Sequence, residues 1–268
     1  RGLGDVYKRQ TLIITTYNWP ESLFLVLQSV KRQTILPFEV IIADDGSNDA
    51  TKNLIYKCSK NSSINIIHSW QEDVGFRAAL SRNKAILKSS GDYIVLIDGD
   101  MILHPKFIQD HIKVAERGFF VQGSRVLLSE NLTKKTLSVK NYNFSFFSLG
   151  IKNRKNALHS NVFNKLFSRK RNNLNSIRSC NMGFFLKDCA NINGFDNNFE
   201  GWGREDSEFA IRMMNAGINR KNVRFAAIQF HLWHNENSRL SLKHNNDILE
   251  NTINNNIKWC QNGINSIE

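Results

Sequence analysis

The chain has 268 residues, 41% of them hydrophobic, which is enough for one large or two small domains with a buried core. It contains no apolar run of about eighteen residues and no charged-then-apolar leader, so neither a membrane-spanning helix nor a secretory signal is expected in these residues. The net charge of +12 is concentrated in residues 131–178, which hold eleven Lys or Arg and no Asp or Glu. We therefore expect this basic segment to meet anionic partners. A cytoplasmic location is expected from the cysteines, whose spacing indicates reduced thiols.

The first ten residues are set apart from the fold prediction. Residues 5–10 (DVYKRQ) resemble the translated end of a transposon used for sequencing libraries, so we expect residues 1–10 to be a non-native leader. The four cysteines are scattered and form no Cys-x-x-Cys pair. This spacing favours reduced, buried thiols over a zinc cluster.

The first half alternates short apolar runs with amphipathic stretches of helical length. Strands are predicted at Leu12–Thr15, 38–43, 64–68 and 93–97, and helices follow at Pro20–Gln33, 50–59, 77–89 and from Pro105. This alternation predicts an α/β fold with a mostly parallel central sheet flanked by helices. Residues 131–178 break the pattern with phenylalanines and basic residues, and helices are predicted again at 205–216 and 238–259.

Two acidic motifs end predicted strands. Asp44 and Asp45 follow the second strand, and Asp98-Gly99-Asp100 follows the fourth. Because ligands bind beyond the carboxyl ends of parallel strands, both motifs are expected on one rim. Asp98 and Asp100 are oxygen ligands suited to Mg²⁺ or Mn²⁺ with a diphosphate, although a polar turn explains the tripeptide as well. Asp44 and Asp45 suit a nucleobase or ribose, or else a turn with a helix cap.

Residues 201–206 (GWGRED) form the most specific segment. Two glycines around Trp202 disfavour a helix or strand there, and the acidic residues that follow fall at a predicted helix start. Glu205 and Asp206 either stabilise the positive end of the helix dipole or supply a catalytic base beside a sugar-stacking Trp202. His231 and His234 follow an apolar run, and they are either ordinary surface or core residues or further metal ligands.

These segments together resemble the family 2 glycosyltransferases of GT-A fold. The resemblance rests on residues 12–18 (LIITTYN), 40–47 (VIIADDGS), 75–83 (GFRAALSRN) and 95–100 (VLIDGD). The second half resembles a galactosyltransferase-type C-terminal region in residues 181–185 (NMGFF), 193–196 (NGFD) and 201–208 (GWGREDSE), a pairing found in bacterial chondroitin-type polymerases and lipopolysaccharide glycosyltransferases. Arg204 departs from the small residue or Lys that is common there, which leaves the acceptor open.

The resemblance implies a role for each matching residue. It implies that Asp206 is the catalytic base, that Glu205, Trp202 and Gly203 face the acceptor, and that Asp98, Asp100, His231 and His234 hold Mn²⁺ or Mg²⁺. The implied donor-binding residues are Thr15, Thr16, Tyr17, Asp44, Asp45, Arg77, Arg82, Asn83 and Asp98. The implied reaction is a metal-dependent transfer that inverts the anomeric centre, from a UDP-sugar to a glycan or lipid-linked glycan of a bacterial surface polysaccharide or lipopolysaccharide.

The expected organisation has four parts after the leader. Residues 11–125 form the nucleotide-sugar-binding half, 126–178 a basic and aromatic insertion, 179–237 the acceptor-binding and catalytic half, and 238–268 a helical tail. Residues 140–171 of the insertion are expected either to be solvated beside the acceptor or to contact an anionic membrane on its cytoplasmic face.

Two other classes of protein fit the sequence less well than an enzyme. A basic nucleic-acid-binding protein would spread its charge along a groove, whereas here the charge is local and acidic motifs dominate the rim, so no nucleic acid is expected. A non-catalytic sugar or nucleotide binder of the same fold is disfavoured because Asp98, Asp100, Glu205 and Asp206 are all present. The sequence leaves the oligomeric state open.

Overall fold

The computed structural model describes residues 9–140, 142–235 and 238–267. Of the leader set apart above, residues 1–8 lie outside the described residues. Gln10, in contrast, is the first residue of strand β1 and is buried there. The strand therefore begins at the last residue of the predicted leader, one residue before the predicted start of the folded chain.

The first half contains every helix and strand that the sequence predicts for it. Its elements, in order, are β1 (Gln10–Thr16), α1 (Pro20–Lys31), β2 (Glu39–Asp44), α2 (Asp49–Lys60), β3 (Asn65–Trp70), α3 (Ala78–Leu87), β4 (Tyr93–Asp98), β5 (Met101–Leu103) and α4 (Phe107–Val114). Pro20 occupies the start of α1, where its fixed φ suits a helix and its missing N–H is not needed.

The second half has shorter elements. They are β6 (Phe119–Gln122), β7 (Val126–Leu128), α5 (Glu130–Val139), β8 (Ile151–Lys152), a 3₁₀ turn (Arg154–Ala157), α6 (Asn161–Phe167), β9 (Arg169–Lys170), β10 (Asn181–Phe185), α7 (Leu186–Asn191), α8 (Glu205–Asn215), β11 (Asn219–Asn222), β12 (Gln229–His231), α9 (Leu242–Asn254) and a 3₁₀ turn (Ile264–Ser266).

Two helices of this half differ from the prediction. Helix α5 was not predicted, although Ser129 caps it by accepting a hydrogen bond from the Leu132 N–H at 3.3 Å. The C-terminal helix is shorter than the predicted 238–259 and ends before Asn255. Asparagine is a poor helix former. Because this stretch contains many asparagines, the helix is limited to the part that packs on α8.

The main sheet has eight strands in the order β3-β2-β1-β4-β10-β6-β11-β9. Strands β3, β2, β1 and β4 are parallel to one another, and β10 joins antiparallel between β4 and β6. A smaller sheet has the order β5-β12-β7-β8. This architecture confirms the predicted α/β fold with a mostly parallel central sheet and helices against it.

The core lies on both faces of the main sheet. Alternate residues of the same strand point to opposite faces, so Leu12 and Ile14 pack with α1, α2 and α4, whereas Ile13 packs with α3 and α8. This double burial explains why the central strands read as continuous apolar runs. The sheet therefore holds the carboxyl ends of β1, β2 and β4 at one rim.

The cysteines match their prediction. Cys58, Cys180, Cys189 and Cys260 are free and buried. Burial raises the pKa of Cys180 and of Cys189 to about 12, which keeps both thiols protonated. Among the described residues, no helix combines the length and apolar character needed to cross a bilayer.

A buried ion pair fixes helix α8 against its surroundings. Glu208 accepts hydrogen bonds from Arg212 at 2.6 and 2.8 Å, and both side chains are almost fully buried. Arg212 also donates to the carbonyls of Ile192 and Gly194, while Thr252 of α9 donates to Glu208. Because every charge here has partners, α8 is held at a set position between the sheet and α9.

Removal of one member of this pair should be costly. We expect Glu208→Ala to lower the free energy of unfolding by about 3–5 kcal/mol, because it leaves the Arg212 charge buried without its carboxylate. The control is Lys134→Ala, which removes an exposed pair of the same i,i+4 spacing with Glu130 and should cost about 0.5 kcal/mol or less. Urea unfolding of both variants measures the difference, and equal losses would contradict this account of α8.

Candidate active site

A cavity of about 1060 Å³ opens at the carboxyl ends of the central strands. Its walls come from the β1 and β4 ends, from the start of α8, from the segment after β12 and from both ends of the basic insertion. The cavity therefore lies beyond the carboxyl ends of the parallel strands, where a ligand site was expected. The acidic motifs at Asp45, Asp98 and Asp100 all reach it.

The Asp98-Gly99-Asp100 turn packs tightly against β1. The Gly99 N–H donates to the Thr15 carbonyl at 2.7 Å, and the Ser22 hydroxyl donates to the Gly99 carbonyl at 2.7 Å. A Cβ atom at position 99 would lie 3.0 Å from the Thr15 oxygen. A side chain here would push this contact apart by a few tenths of an ångström, so glycine favours the close approach of the turn that carries the two aspartates.

Asp100 lies between two histidines. Its Oδ2 is 3.2 Å from Nε2 of His231 and 3.2 Å from Nε2 of His234. Strand β12 pairs with β5, so His231 stands beside Met101, and the Leu232 N–H donates to the Asp100 carbonyl. The small sheet thus brings together residues that are more than 130 positions apart in the sequence.

These three side chains form a group with the chemistry of a metal site. One ligand atom from each lies within 4.8 Å of the others. Asp100 Oδ1 is buried and has no hydrogen-bond partner among the described residues. A buried carboxylate oxygen without a partner is unfavourable unless something else binds it, and a divalent cation fits this set of one carboxylate and two imidazoles.

The pKa values of the two aspartates of the turn are shifted in opposite directions. Burial acts to raise the pKa of Asp100, but the charges and hydrogen bonds of His231 and His234 outweigh it and hold that pKa below its ordinary value. Asp98 has its carboxylate 3.7 Å from Arg82. Burial raises the pKa of Asp98 to about 6; the charge of Asp100 adds to this effect and that of Arg82 opposes it.

Arg82 is a buried cation that joins the two halves of the site. Its guanidinium lies 3.2 Å from Glu205 Oε1 and 3.7 Å from Asp98 Oδ1, and its Nε donates to Thr15 Oγ1 at 3.3 Å. Burial acts to lower the pKa of Arg82, yet the charges of Glu205 and Asp98 raise it, so the guanidinium stays charged. Helix α3 thus supplies the positive charge around which the carboxylates of the turn and of α8 gather.

Asp206 lies beside Glu205 in the first turn of α8. Its Oδ2 accepts a hydrogen bond from the Ser179 N–H at 3.3 Å, and its Oδ1 accepts one from the Ser207 hydroxyl at 3.2 Å. Burial, together with the charge of Glu205, raises the pKa of Asp206 to about 7. A carboxyl group with this pKa exchanges a proton readily near neutral pH.

Helix α9 holds the loop that precedes α8. The Asn245 side-chain amide donates to the carbonyls of Glu200 at 3.1 Å and Gly203 at 2.9 Å. Arg204, which has a left-handed φ of 79°, donates through Nε to Asn246 Oδ1 at 2.7 Å. These contacts fix the turn that presents Trp202, Glu205 and Asp206 to the cavity.

The predicted donor-binding residues divide into two groups. Thr15, Thr16, Tyr17, Asp45, Arg82 and Asp98 line the cavity. Asp44, Arg77 and Asn83 do not line it. Asp44 accepts a hydrogen bond from the Ser47 N–H and lies 2.8 Å from His68, Arg77 donates from its side chain to the Glu72 carbonyl, and Asn83 bonds the backbone of Phe195.

Asp45 is held at the cavity wall by Arg77 through the backbone rather than the side chain. The Arg77 N–H donates to Asp45 Oδ2 at 2.8 Å, and Gln71 donates to Oδ1 at 2.6 Å. Burial raises the pKa of Asp45, and these two hydrogen bonds oppose the shift. Residues 71–77 therefore orient a carboxylate that the sequence assigned to the donor.

The sequence did not single out several basic residues of the cavity. Arg125, Lys152, Arg178 and Arg239 all line it. Lys152 and Arg178 belong to the basic insertion, so the concentration of positive charge in residues 131–178 was the sequence feature that could have identified them. Their direction toward the cavity depends on the pairing of β8 with β7 and on the chain path into β10, which no local pattern encodes.

Comparison with known proteins gives a consistent family. The family described as glycosyl transferase family 2 matches residues 11–188, and the family described as N-terminal domain of galactosyltransferase matches residues 159–235. The chain is 24% identical over 245 residues to chondroitin synthase of Escherichia coli, covering 82% of this chain and 34% of that protein. It is 33% identical over 103 residues to hyaluronan synthase of Pasteurella multocida, covering 38% of this chain and 10% of that protein. The chain thus spans about a third or less of the length of these relatives.

Solved structures share the fold at low identity. S. aureus TarS 1–349 in complex with UDP superposes with a TM-score of 0.63 at 14% identity, covering 92% of this chain and 66% of that chain. Mannosyltransferase PcManGT from Pyrobaculum calidifontis, in complex with GDP-Man and Mn²⁺, gives a TM-score of 0.55 at 15% identity, covering 84% and 56%. The likeness confirms the predicted GT-A fold.

The raised pKa of Asp206 predicts how the stability of the folded chain depends on pH. In the folded chain this pKa lies above its ordinary value, so stability falls as pH rises from about 4 to about 7 and the partly buried group loses its proton. Asp206→Asn removes the free-energy cost of ionising this carboxyl group in the folded chain. We expect its melting temperature to exceed that of the wild type at pH 8, with a smaller difference at pH 5.

The control is Asp247→Asn, which changes an exposed carboxylate on α9 and should shift the melting temperature equally at both pH values. Thermal denaturation followed by circular dichroism measures all three proteins. A Asp206→Asn variant that is less stable than the wild type at pH 8 would contradict the assignment of a raised pKa.

Proposed function

Because the chain belongs to glycosyl transferase family 2, we propose that it transfers a sugar from a UDP-sugar to a hydroxyl group of a glycan or lipid-linked glycan acceptor. The sugar would be galactose, N-acetylgalactosamine, glucose or N-acetylglucosamine, and the product a bacterial surface polysaccharide or lipopolysaccharide. One observation carries the proposal: Asp206, with its raised pKa, and the Asp100–histidine group line the same cavity, and Arg82 lies between them, paired with the neighbouring carboxylates of Glu205 and Asp98.

The proposed donor site combines a nucleoside end and a phosphate end. Thr15, Thr16, Tyr17 and Asp45 offer hydroxyls and a carboxylate for the uracil and ribose. Arg125, Lys152 and Arg178 offer positive charge for the diphosphate. The UDP in the TarS complex supports a uridine nucleotide, and the polysaccharide synthases among the relatives support a glycan product.

The proposed metal ligands are Asp100, His231 and His234, with Asp98 beside the diphosphate. Two imidazole nitrogens and a carboxylate favour Mn²⁺ over Mg²⁺, which prefers oxygen alone. When bound, the cation would supply positive charge that stabilises the nucleoside diphosphate as it leaves. The Mn²⁺ in the mannosyltransferase complex supports this choice of ion.

The proposed base is Asp206. Its carboxylate takes the proton from the acceptor hydroxyl as the oxygen attacks the anomeric carbon. The new bond to carbon forms while the bond from carbon to the phosphate oxygen breaks, and the nucleoside diphosphate departs with that electron pair. A single displacement inverts the anomeric centre, so an α-linked donor gives a β-glycoside. Trp202, which is 40% exposed, offers a flat face for the acceptor sugar.

The first test is a donor screen. We expect the wild type with Mn²⁺ to release UDP from one of the four UDP-sugars. Asp206→Asn should retain Mn²⁺ and UDP binding yet lose activity by about 10²–10⁴-fold, the usual contribution of a general base. Asp100→Ala and His231→Ala should lose both Mn²⁺ affinity and activity, since each removes a ligand.

His244→Ala is the matched control, because it removes an exposed histidine of α9 without touching the group. Titration calorimetry measures Mn²⁺ affinity, and a coupled assay measures UDP release. Donor and Mn²⁺ binding without release or transfer by the wild type would identify a non-catalytic binder. Unchanged Mn²⁺ affinity in His231→Ala would refute the metal ligands.

The second test is the pH dependence of transfer. Because the base must be deprotonated, kcat/KM, which reports the pKa of the free enzyme, should fall about tenfold per pH unit below a pH of about 7. Glu205→Gln should move this midpoint to lower pH, since the charge of Glu205 helps to raise the pKa of Asp206. The Mn²⁺ affinity is measured at each pH to separate loss of the ion from protonation of the base. An identical midpoint in Glu205→Gln would argue against Asp206 as the titrating group.

A further inference from the structure

Helix α6, in the basic insertion, has an apolar surface that the rest of the chain leaves uncovered. None of its seven residues is buried. Val162 is 65% exposed, Phe163 47%, Leu166 61% and Phe167 45%. We call these four side chains, with the neighbouring Lys165, Arg169, Lys170 and Arg171, the α6 surface. Four large apolar groups on one short helix are too many for a surface that meets only water.

The helix is fixed on its support in a way that sets which side faces outward. The Ser160 N–H donates to the Phe225 carbonyl, and the Asn164 side chain donates to the Arg224 carbonyl, both at 2.9 Å. The rings of Phe163 and Phe167 lie 5.5 and 5.6 Å from the ring of Phe225. These two rings therefore anchor the helix, and the i,i+4 pair Val162 and Leu166 forms an outer row.

The charged side chains of the segment that carries this outer row have a single sign. Residues 151–178 contain eight Lys or Arg and no Asp or Glu. Lys165 lies on α6 itself, and Arg169, Lys170 and Arg171 follow it directly, all of them exposed. Apolar side chains beside basic ones suit the boundary between lipid headgroups and acyl chains, where Val and Leu enter the apolar layer and Lys and Arg meet phosphates.

We infer that the α6 surface docks on a bilayer that is rich in anionic phospholipid. A second copy of the same chain is a poorer partner, because a two-fold contact through this surface would bring two all-positive faces together. A nucleic acid would use the basic residues but would gain nothing from the aliphatic row of Val162 and Leu166. The bilayer satisfies both parts of the surface.

Docking of the α6 surface also affects where the cavity lies relative to the bilayer. Lys152, before α6, and Arg178, after it, both line the cavity. The segment that carries α6 therefore contributes to the cavity wall on both sides of the helix, so docking would hold this part of the wall near the bilayer that carries a lipid-linked acceptor. The docking goes beyond the proposed function, since binding to vesicles requires no turnover.

Vesicle flotation tests the inference with the full chain. We expect the wild type to float with vesicles of phosphatidylcholine and phosphatidylglycerol, and not with phosphatidylcholine alone. Binding should weaken between about 0.1 M and about 1 M salt, as the screening length falls from about 10 Å to about 3 Å. Val162→Ser/Leu166→Ser should bind at least roughly tenfold more weakly, because it removes the row that enters the apolar layer.

The matched control is Ile35→Ser/Leu36→Ser, which changes two exposed apolar residues outside the insertion and should leave vesicle binding unchanged. Equal Mn²⁺ affinity in both double variants and the wild type shows that the site remains folded. Absence of flotation at low salt, or equal flotation of the Val162→Ser/Leu166→Ser variant, would overturn the inference. So would a dimer, seen by analytical ultracentrifugation, that this variant abolishes, or tighter binding to RNA than to the anionic vesicles.

Discussion

The candidate site depends on the buried guanidinium of Arg82. A charge in this position is tolerated only because carboxylates compensate it, and here they come from two distant parts of the chain: Asp98 at the end of β4 and Glu205 at the start of α8. The same side chain bonds Thr15 at the end of β1. Arg82 thus sets the distance between the turn that carries Asp100 and the helix that carries Asp206.

Around this cation, the environment moves the pKa values of two carboxylates in opposite directions. Asp100 has two histidines beside it, and their hydrogen bonds and charges hold its pKa low despite burial. Asp206 has Glu205 as its neighbour, and burial with that like charge raises its pKa to about 7. One carboxylate therefore stays ionised and ready for a cation, whereas the other is poised to exchange a proton, and both open into one cavity.

The later parts of the chain complete this site rather than merely cover it. Helix α9 fixes the Trp202 loop through Asn245, and the buried pair of Glu208 and Arg212 holds α8 against both α9 and the loop near Ile192. The basic insertion contributes Lys152 and Arg178 to the cavity wall, while its helix α6 does not line the cavity and leaves its apolar row exposed.

The sequence by itself determined the α/β architecture and most of the acidic rim. Continuous apolar runs such as 93–97 have to be buried on both faces, so they predict central parallel strands, and the strand-end rule then places Asp45, Asp98 and Asp100 together. Tertiary structure decided the rest, because it depends on pairings between distant residues. Only the β12–β5 register puts His231 beside Asp100, and only the side-chain contacts distinguish Asp45, which faces the cavity, from Asp44, which caps a turn. Asn245 and Arg178 carry no local signal of their roles, since an Asn-rich helix and a basic loop acquire a direction only when they pack on the sheet.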